Sequence, residues 1–200
     1  SLWKKFPGSV VLRQVSGGPK ACPPHARIKY HYDISFVGQF EQDRAAKIRM
    51  LAKSIDKKIH IFGPDWNQVK MPPNVIKHPA IWGEEFVKVL QTTRINLCFL
   101  RKANKDTATT RTFEIVSSGS LLIAERTEEH LSLFREFDEA FYFDGDEELK
   151  LLTKRLLVES AENNFFKIRQ SAFRRYCERG YSDNEIWSKF FDNCFPGHNI

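Results

Sequence analysis

Thr109-Thr110-Arg111-Thr112-Phe113-Glu114-Ile115-Val116-Ser117-Ser118-Gly119, followed at once by Ser120-Leu121-Leu122-Ile123-Ala124, is the stretch on which the reading of this chain turns. Upstream, the apolar run Ile95 to Leu100 reads as a strand and leads into a polar loop over 101–109. A short helix, 110–118, then opens with hydroxyls and an arginine, stops at Gly119 and feeds a second apolar strand, 120–124. A helix N-terminus presents unpaired N–H groups and the positive end of the helix dipole, so it holds anions such as phosphate. Thr110 and Arg111 stand at that terminus, and a guanidinium is a forked donor suited to phosphate. Glu114, one turn on, can accept from two sugar hydroxyls. An i,i+3 ion pair between Arg111 and Glu114 is the plainer alternative. A capping box closed by Glu114 would need Ser or Thr at position 111, where this chain has Arg.

Working outward, strands and helices alternate. Ile34 to Val37 reads as a buried strand, and Gln42 to Ser54 as a helix with Ala45, Ile48, Leu51 and Ala52 on one face. Lys58 to Phe62 is a second strand, ended by Gly63-Pro64, and residues 64–80 carry four prolines and read as loop. Trp82 to Thr92 is a helix with Phe86, Val89 and Leu90 inward. After the central stretch come a helix from Thr127 to Phe134, a strand from Phe141 to Phe143 and a helix from Glu147 to Glu162. Helices near 164–179 and 183–193 close the chain. The expected fold is therefore α/β, a parallel Rossmann-like sheet covered by helices on both faces. Ligands of such sheets bind beyond the C-terminal strand ends. Gly38 and the 101–111 loop both lie at such ends.

The chain has 200 residues, 42% of them hydrophobic, including 17 Phe, so it can bury a substantial core. Residues 1–31, punctuated by Gly8, Gly17-Gly18, Pro19 and Pro23-Pro24, read as an irregular arm or linker; 32–180 form the domain, and 181–200 a terminal helix and tail. No apolar run is long enough to span a membrane, and the N-terminus lacks a secretory apolar segment. Cys22, Cys98, Cys177 and Cys194 are scattered without a paired framework, which suits a reducing cytoplasm. Cys98, inside an apolar strand, reads as a small buried hydrophobe. The net charge of +6 favours anionic partners, either phosphorylated small molecules or an anionic membrane surface. Nucleic acid is not expected, because Phe173-Arg174-Arg175-Tyr176 is the nearest approach to a recognition surface and reads as an amphipathic helix with charges outward.

Arg111-Thr112-Phe113-Glu114 with Gly119 resembles the R-x-F-E-x-x-x-x-G segment of the group 1, GT-B type glycosyltransferases, and most of all their spore-maturation-protein-like branch. Tyr32-Asp33-Ile34-Ser35-Phe36-Val37-Gly38 is similar to the opening strand and glycine turn of the family's C-terminal half. Ile59-His60-Ile61-Phe62-Gly63, Trp82-Gly83 and Ile95-Asn96-Leu97-Cys98-Phe99-Leu100 follow in matching order, so the likeness runs over roughly residues 32 to 195. The resemblance implies a donor-binding half that holds a nucleotide-diphosphate sugar for transfer to an acceptor hydroxyl, with retention and without a metal or other cofactor. It implies donor contacts at Gly38, Arg44, Trp82, Arg101, Lys102, Thr110, Arg111 and Glu114. Each has a plain reading too: a turn at Gly38, packing at Trp82, solvated charges at Arg101 and Lys102. The carbohydrate acceptor and the catalytic residues that meet it would belong mostly to an N-terminal half for which 200 residues leave no room. The 183–193 helix, with Ile186, Trp187, Phe190 and Phe191, would return toward that half. The chain alone is then expected to be inactive. A non-catalytic interaction or ligand-binding module on the same scaffold is the alternative.

Two metal readings are weaker than their alternatives. Asp144-Gly145-Asp146 has the D-x-D form of metal-dependent GT-A transferases, but Asp144 ahead of Glu147 and the Leu149 helix reads as a helix cap. Cys22, His25, Cys194 and His198 sit at opposite ends of the chain and lack the close pairs of a zinc site.

Overall fold

The computed structural model describes residues 21–26, 28–158, 162–182 and 184–188. Six strands form one parallel sheet: β1 (Tyr32–Val37), β2 (Ile59–Phe62), β3 (Val75–His78), β4 (Thr93–Cys98), β5 (Leu122–Glu125) and β6 (Phe141–Phe143). Their order is β3-β2-β1-β4-β5-β6. The helices are α1 (Gln42–Ser54), α2 (Gly83–Gln91), α3 (Thr110–Ser117), α4 (Glu128–Leu133), α5 (Asp146–Val158) and α6 (Glu162–Glu178). A parallel sheet buried on both faces with helical crossovers is the Rossmann-like arrangement that the alternating pattern predicts.

The period-2 alternation of the strands divides two apolar layers. Ile34, Phe36, Ile59, Ile61, Ile95, Leu97, Ile123, Phe141 and Phe143 face the layer covered by α1, through Ala45, Ile48 and Leu51, and by α5, through Leu149, Leu152 and Leu156. Val37, Phe62, Cys98, Leu122, Ala124 and Tyr142 face the other, covered by α2, α3 and α4. Helix α6 begins against the first layer with Phe165 and Ile168 and ends against the second with Ala172 and Tyr176. Burial of this many large side chains is the main stabilising term, at roughly 1.5–3 kcal/mol for each. One buried polar pair crosses the centre of the sheet: Ser35 Oγ donates to Asn96 Oδ1 at 3.0 Å, and Asn96 Nδ2 donates to Leu90 O at 3.1 Å. Both partners are satisfied, so the pair costs little and ties β1, β4 and α2 in one register.

The proline-rich 64–80 segment is not all loop. It contains the edge strand β3, pairing Ile59 with Val75 and Phe62 with His78. Asn74, just ahead of it, donates through Nδ2 to Ala52 O (2.8 Å), Ile55 O (3.1 Å) and Lys57 O (3.2 Å), pinning the strand start to the end of α1. The helix expected from Glu147 to Glu162 ends at Val158, residues 159–161 lie outside the described residues, and Glu162 opens α6. Of the expected 183–193 helix, residues 184–188 are helical, and Phe190, Phe191, Cys194 and His198 lie outside the described residues. The described part of the N-terminal arm is docked: Cys22 N–H donates to Ser117 O at 2.8 Å. A Cβ on Gly119, whose φ is +71°, would meet Pro24 N at 2.7 Å.

Candidate functional site

Between β1 and β4 the strand order reverses, and consecutive crossovers leave on opposite faces. A crevice therefore opens beyond their C-terminal ends. Here it is a cleft of about 340 Å³, lined by the end of β1 (Phe36, Val37, Gly38, Gln39), the start of α1 (Glu41, Arg44), the loop after β4 (Phe99, Arg101, Asp106) and the first turn of α3 (Thr109, Thr110, Arg111, Glu114). Gly38, Arg44, Arg101, Thr110, Arg111 and Glu114, placed at strand or helix ends by sequence alone, thus converge on one crevice.

Each arginine is held. Arg44 donates through Nη1 to Gln39 O (3.2 Å) and through Nη2 to Phe99 O (3.4 Å), its guanidinium lying 5.7 Å from the centre of the Phe36 ring. It also pairs with Glu41 at 3.3 Å, and the same Glu41 carboxylate pairs with Arg101 at 2.8 Å. Arg111 lies 4.4 Å over the Phe86 ring of α2 and 2.8 Å from Glu114. Burial works against the Arg111 charge while Glu114 supports it. The charged side chains of the lining balance, with Arg44, Arg101 and Arg111 against Glu41, Asp106 and Glu114.

The rigidity of α3 comes from beneath. Thr109 at the N-cap and Thr112 at the third helical position form a capping box, in which Thr109 N–H donates to Thr112 Oγ1 at 3.5 Å. The helix is therefore closed by a capping box two residues upstream of the one that Glu114 would need. Thr112 Oγ1 also lies 2.9 Å from His130 Nε2, and both residues are fully buried. His130 Nδ1 is 2.6 Å from Glu125 O, which can only accept, so the proton sits on Nδ1 and Nε2 accepts from the Thr112 hydroxyl. Burial depresses the His130 pKa and keeps the ring neutral. Cys98 Sγ sits 3.6 Å from both threonine hydroxyls, and burial raises its pKa, so it is a structural thiol. The polar loop is stapled to α4, with Thr127 Oγ1 donating to Thr107 O (2.6 Å) and Thr107 Oγ1 to Glu129.

Two expected contacts do not line the cleft. Trp82 stands 76% exposed at the N-cap of α2, and Lys102, in a 3-10 turn over Lys102–Asn104, pairs with Asp43 at 3.3 Å. Glu41 and Asp106 were not picked out from sequence; the i,i+3 spacing of Glu41 and Arg44 was the available signal. At Asp144-Gly145-Asp146, the carboxylate that serves the helix start is Glu148, which accepts from Asp144 N–H at 2.6 Å and takes a two-pronged pair from Arg126 (2.7 and 2.8 Å). The role expected of Asp144 thus falls to Glu148. Among the described residues no three His, Cys, Asp or Glu side chains cluster to hold a metal ion, and no helix is long and apolar enough to cross a membrane.

Residues 44–190 match the family model described as glycosyl transferase-like. The chain belongs to this family. Among curated proteins none matches the sequence significantly. Solved structures share the fold. A glycosyltransferase from Rickettsia africae superposes with a TM-score of 0.62 at 12% identity, over 84% of this chain and 49% of that one. The HepE protein of Anabaena, in complex with UDP-glucose, gives 0.64 at 10% identity, over 82% and 48%. The C-terminal domain of a group 1 family glycosyl transferase from Francisella tularensis gives 0.59 at 12% identity, over 81% of this chain and 97% of that domain. This chain thus spans about half the length of the Rickettsia and Anabaena proteins and nearly all of the isolated Francisella domain.

Proposed function

We propose that this chain is the C-terminal, donor-binding half of a GT-B glycosyltransferase of the spore-maturation-protein-like branch, and that the cleft holds a nucleoside-diphosphate sugar. The observation that carries this is the convergence of Arg44, Arg101 and Arg111 with Glu114 on one crevice at the strand-order reversal. Three guanidiniums suit a diphosphate, and the N-terminus of α3 adds oriented N–H groups with Thr110 in its first turn. Glu114 accepts the ribose hydroxyls, and Gly38 lets the ligand approach the chain closely. The complex of Anabaena HepE with UDP-glucose and the correspondence with a Francisella C-terminal domain support the assignment.

In this reading residues 32–180 are the donor unit and a second, N-terminal half supplies the carbohydrate acceptor site. Transfer proceeds with retention and without a resident metal or cofactor, and the 200-residue chain alone is inactive. Trp82 and Lys102 approach the donor only if it extends past the cleft lining. The test is calorimetric titration with UDP, GDP and ADP beside their nucleosides, with and without chelator. Chelator-insensitive binding of a diphosphate, tighter than its nucleoside, is expected. Binding of none of them ends the proposal.

A further inference from the structure

Glu41 is an unusual helix-capping residue. It occupies the N-cap of α1, where the short side chain of Ser, Thr, Asp or Asn ordinarily accepts from the free N–H groups of the first turn. Its carboxylate makes no such bond. It turns instead into the cleft and pairs with two arginines from different elements, Arg44 of α1 at 3.3 Å and Arg101 of the loop after β4 at 2.8 Å. Arg44 is otherwise fixed by carbonyls, Gln39 O and Phe99 O, which neutralise nothing. A single anion therefore sits between the two guanidiniums, and in the free protein that anion is Glu41.

We infer that Glu41 is a built-in competitor for the ligand's phosphate: its carboxylate fills the anion slot between Arg44 and Arg101, and a ligand phosphate must displace it. The inference rests on the donor-site reading above and adds to it an internal anion that sets the affinity of the slot. A carboxylate half-shielded between two guanidiniums is a genuine rival for a phosphate oxygen, because both make charge-assisted bonds to the same forks. Displaced, Glu41 has a second use ready, since the unfilled N–H groups at the start of α1 lie next to it in sequence. A ligand with one phosphate has to win this exchange with the same group that engages Arg111. A ligand with two can engage Arg111 with one phosphate and evict Glu41 with the other. The displacement thus weakens every ligand that fills the slot by the same factor, and leaves untouched a monophosphate held by Arg111 alone.

The consequence is opposite in sign to that of an ordinary binding residue. If the slot is blocked in most molecules, the apparent affinity is reduced by the fraction left open, and removing the blocker restores it. Glu41→Gln keeps the shape and removes the charge. Glu41→Ser removes the side chain and supplies a good N-cap, so at least one variant keeps α1 intact. Each is titrated calorimetrically with UDP, UMP and inorganic pyrophosphate, beside the unaltered chain. Both variants are expected to bind UDP and pyrophosphate tighter by about 3- to 10-fold, with UMP gaining no more than UDP, so that the UDP-to-UMP preference holds or widens. Unchanged or weaker UDP and pyrophosphate binding in both variants overturns the inference, since Glu41 would then only position the arginines, while the donor reading stands. Tighter pyrophosphate with no nucleotide bound by any form keeps the slot and removes the donor reading. No binding of any probe by any form removes both.

Discussion

The Arg111 guanidinium rests 2.8 Å from the Glu114 carboxylate, one helical turn on, with the Phe86 ring beneath it. On the proposed donor-binding function, the ion pair and the ligand site are not rival descriptions of these two residues. In the free protein each neutralises the other in a half-buried position, and a bound diphosphate would take over Arg111 and leave Glu114 to the ribose. Arg111→Ala is expected to weaken a nucleoside diphosphate by about 1.5–3 kcal/mol, a lost charge-assisted bond, while leaving the nucleoside nearly unchanged. Glu114→Gln should weaken ribonucleotides more than their deoxy counterparts, which offer the carboxylate fewer hydroxyls. Calorimetry with matched ligand pairs checks both. Loss of folding stability with all affinities intact would reduce the two residues to a surface pair.

The glycine that steric contact demands is not Gly38 but the one facing it. A Cβ on Gly63 would lie 2.1 Å from Gly38 O, which already accepts from Trp66 Nε1 at 2.8 Å. On Gly38 the nearest atom is the tip of the Phe36 ring, at 2.9 Å, and that ring can shift. Gly63→Ala is therefore expected to cost about 3 kcal/mol or more, and Gly38→Ala clearly less. Urea unfolding of both variants decides, and equal costs would contradict the steric account.

Much of this was legible because the controlling signals are local. Alternating strands such as Ile34 to Val37 and the 45/48/51/52 face of α1 carry their burial in their spacing. Strand β3 was not legible: it is a four-residue edge strand after Pro72-Pro73, of which only Val75 is buried, and Asn74 bonds to α1 define its start. The cleft's arginines were visible as strand-end and helix-start residues, but their partners were not. That Glu41 turns to Arg101, 60 positions away, is a tertiary fact. So is the burial of His130, which by pattern is one polar residue in a short helix.

The Asp144 and Asp146 carboxylates should matter little, and Glu148 more. Replacing both aspartates by Asn is expected to leave UDP affinity unchanged and stability within about 0.5 kcal/mol. Glu148→Gln removes the two-pronged bond from Arg126, which also pairs with Glu136 at 2.6 Å. Since the Glu148 side chain is 40% exposed, solvent screening holds the expected cost to about 1 kcal/mol. Thermal unfolding orders the two. A larger loss from the double Asn variant, or chelator-sensitive binding, would revive a metal at this turn.

Stability should fall as pH drops through the histidine range. His130 is held below its ordinary value of 6.5 by burial, against weaker raising effects of Glu125 O and Glu129. His60 is lowered by burial, then by His78 and Lys58, with Asp33 opposing; His78 is lowered by burial alone. The His60 and His78 rings lie 2.8 Å apart, nitrogen to nitrogen, so a proton on one opposes a proton on the other. With every shift downward, the unfolded chain binds protons more readily than the folded one below pH 6.5. The stabilisation is thus complete above 6.5 and is lost as pH falls from there toward the depressed folded values. For His130 the slope is at most about 1.4 kcal/mol per pH unit. The Glu148 carboxylate, lowered from 4.5 chiefly by Arg126, contributes in a separate window below 4.5. Denaturant midpoints at pH 8, 7, 6 and 5.5 should be level across the first pair and decline across the second. His130→Gln should flatten part of that decline, at a cost in stability at pH 8 for the lost bonds to Glu125 O and Thr112. A profile flat from pH 8 to 5.5 would mean that these imidazoles take up protons in the folded state as easily as in water, and the neutral His130 tautomer assigned to the support of α3 would be wrong.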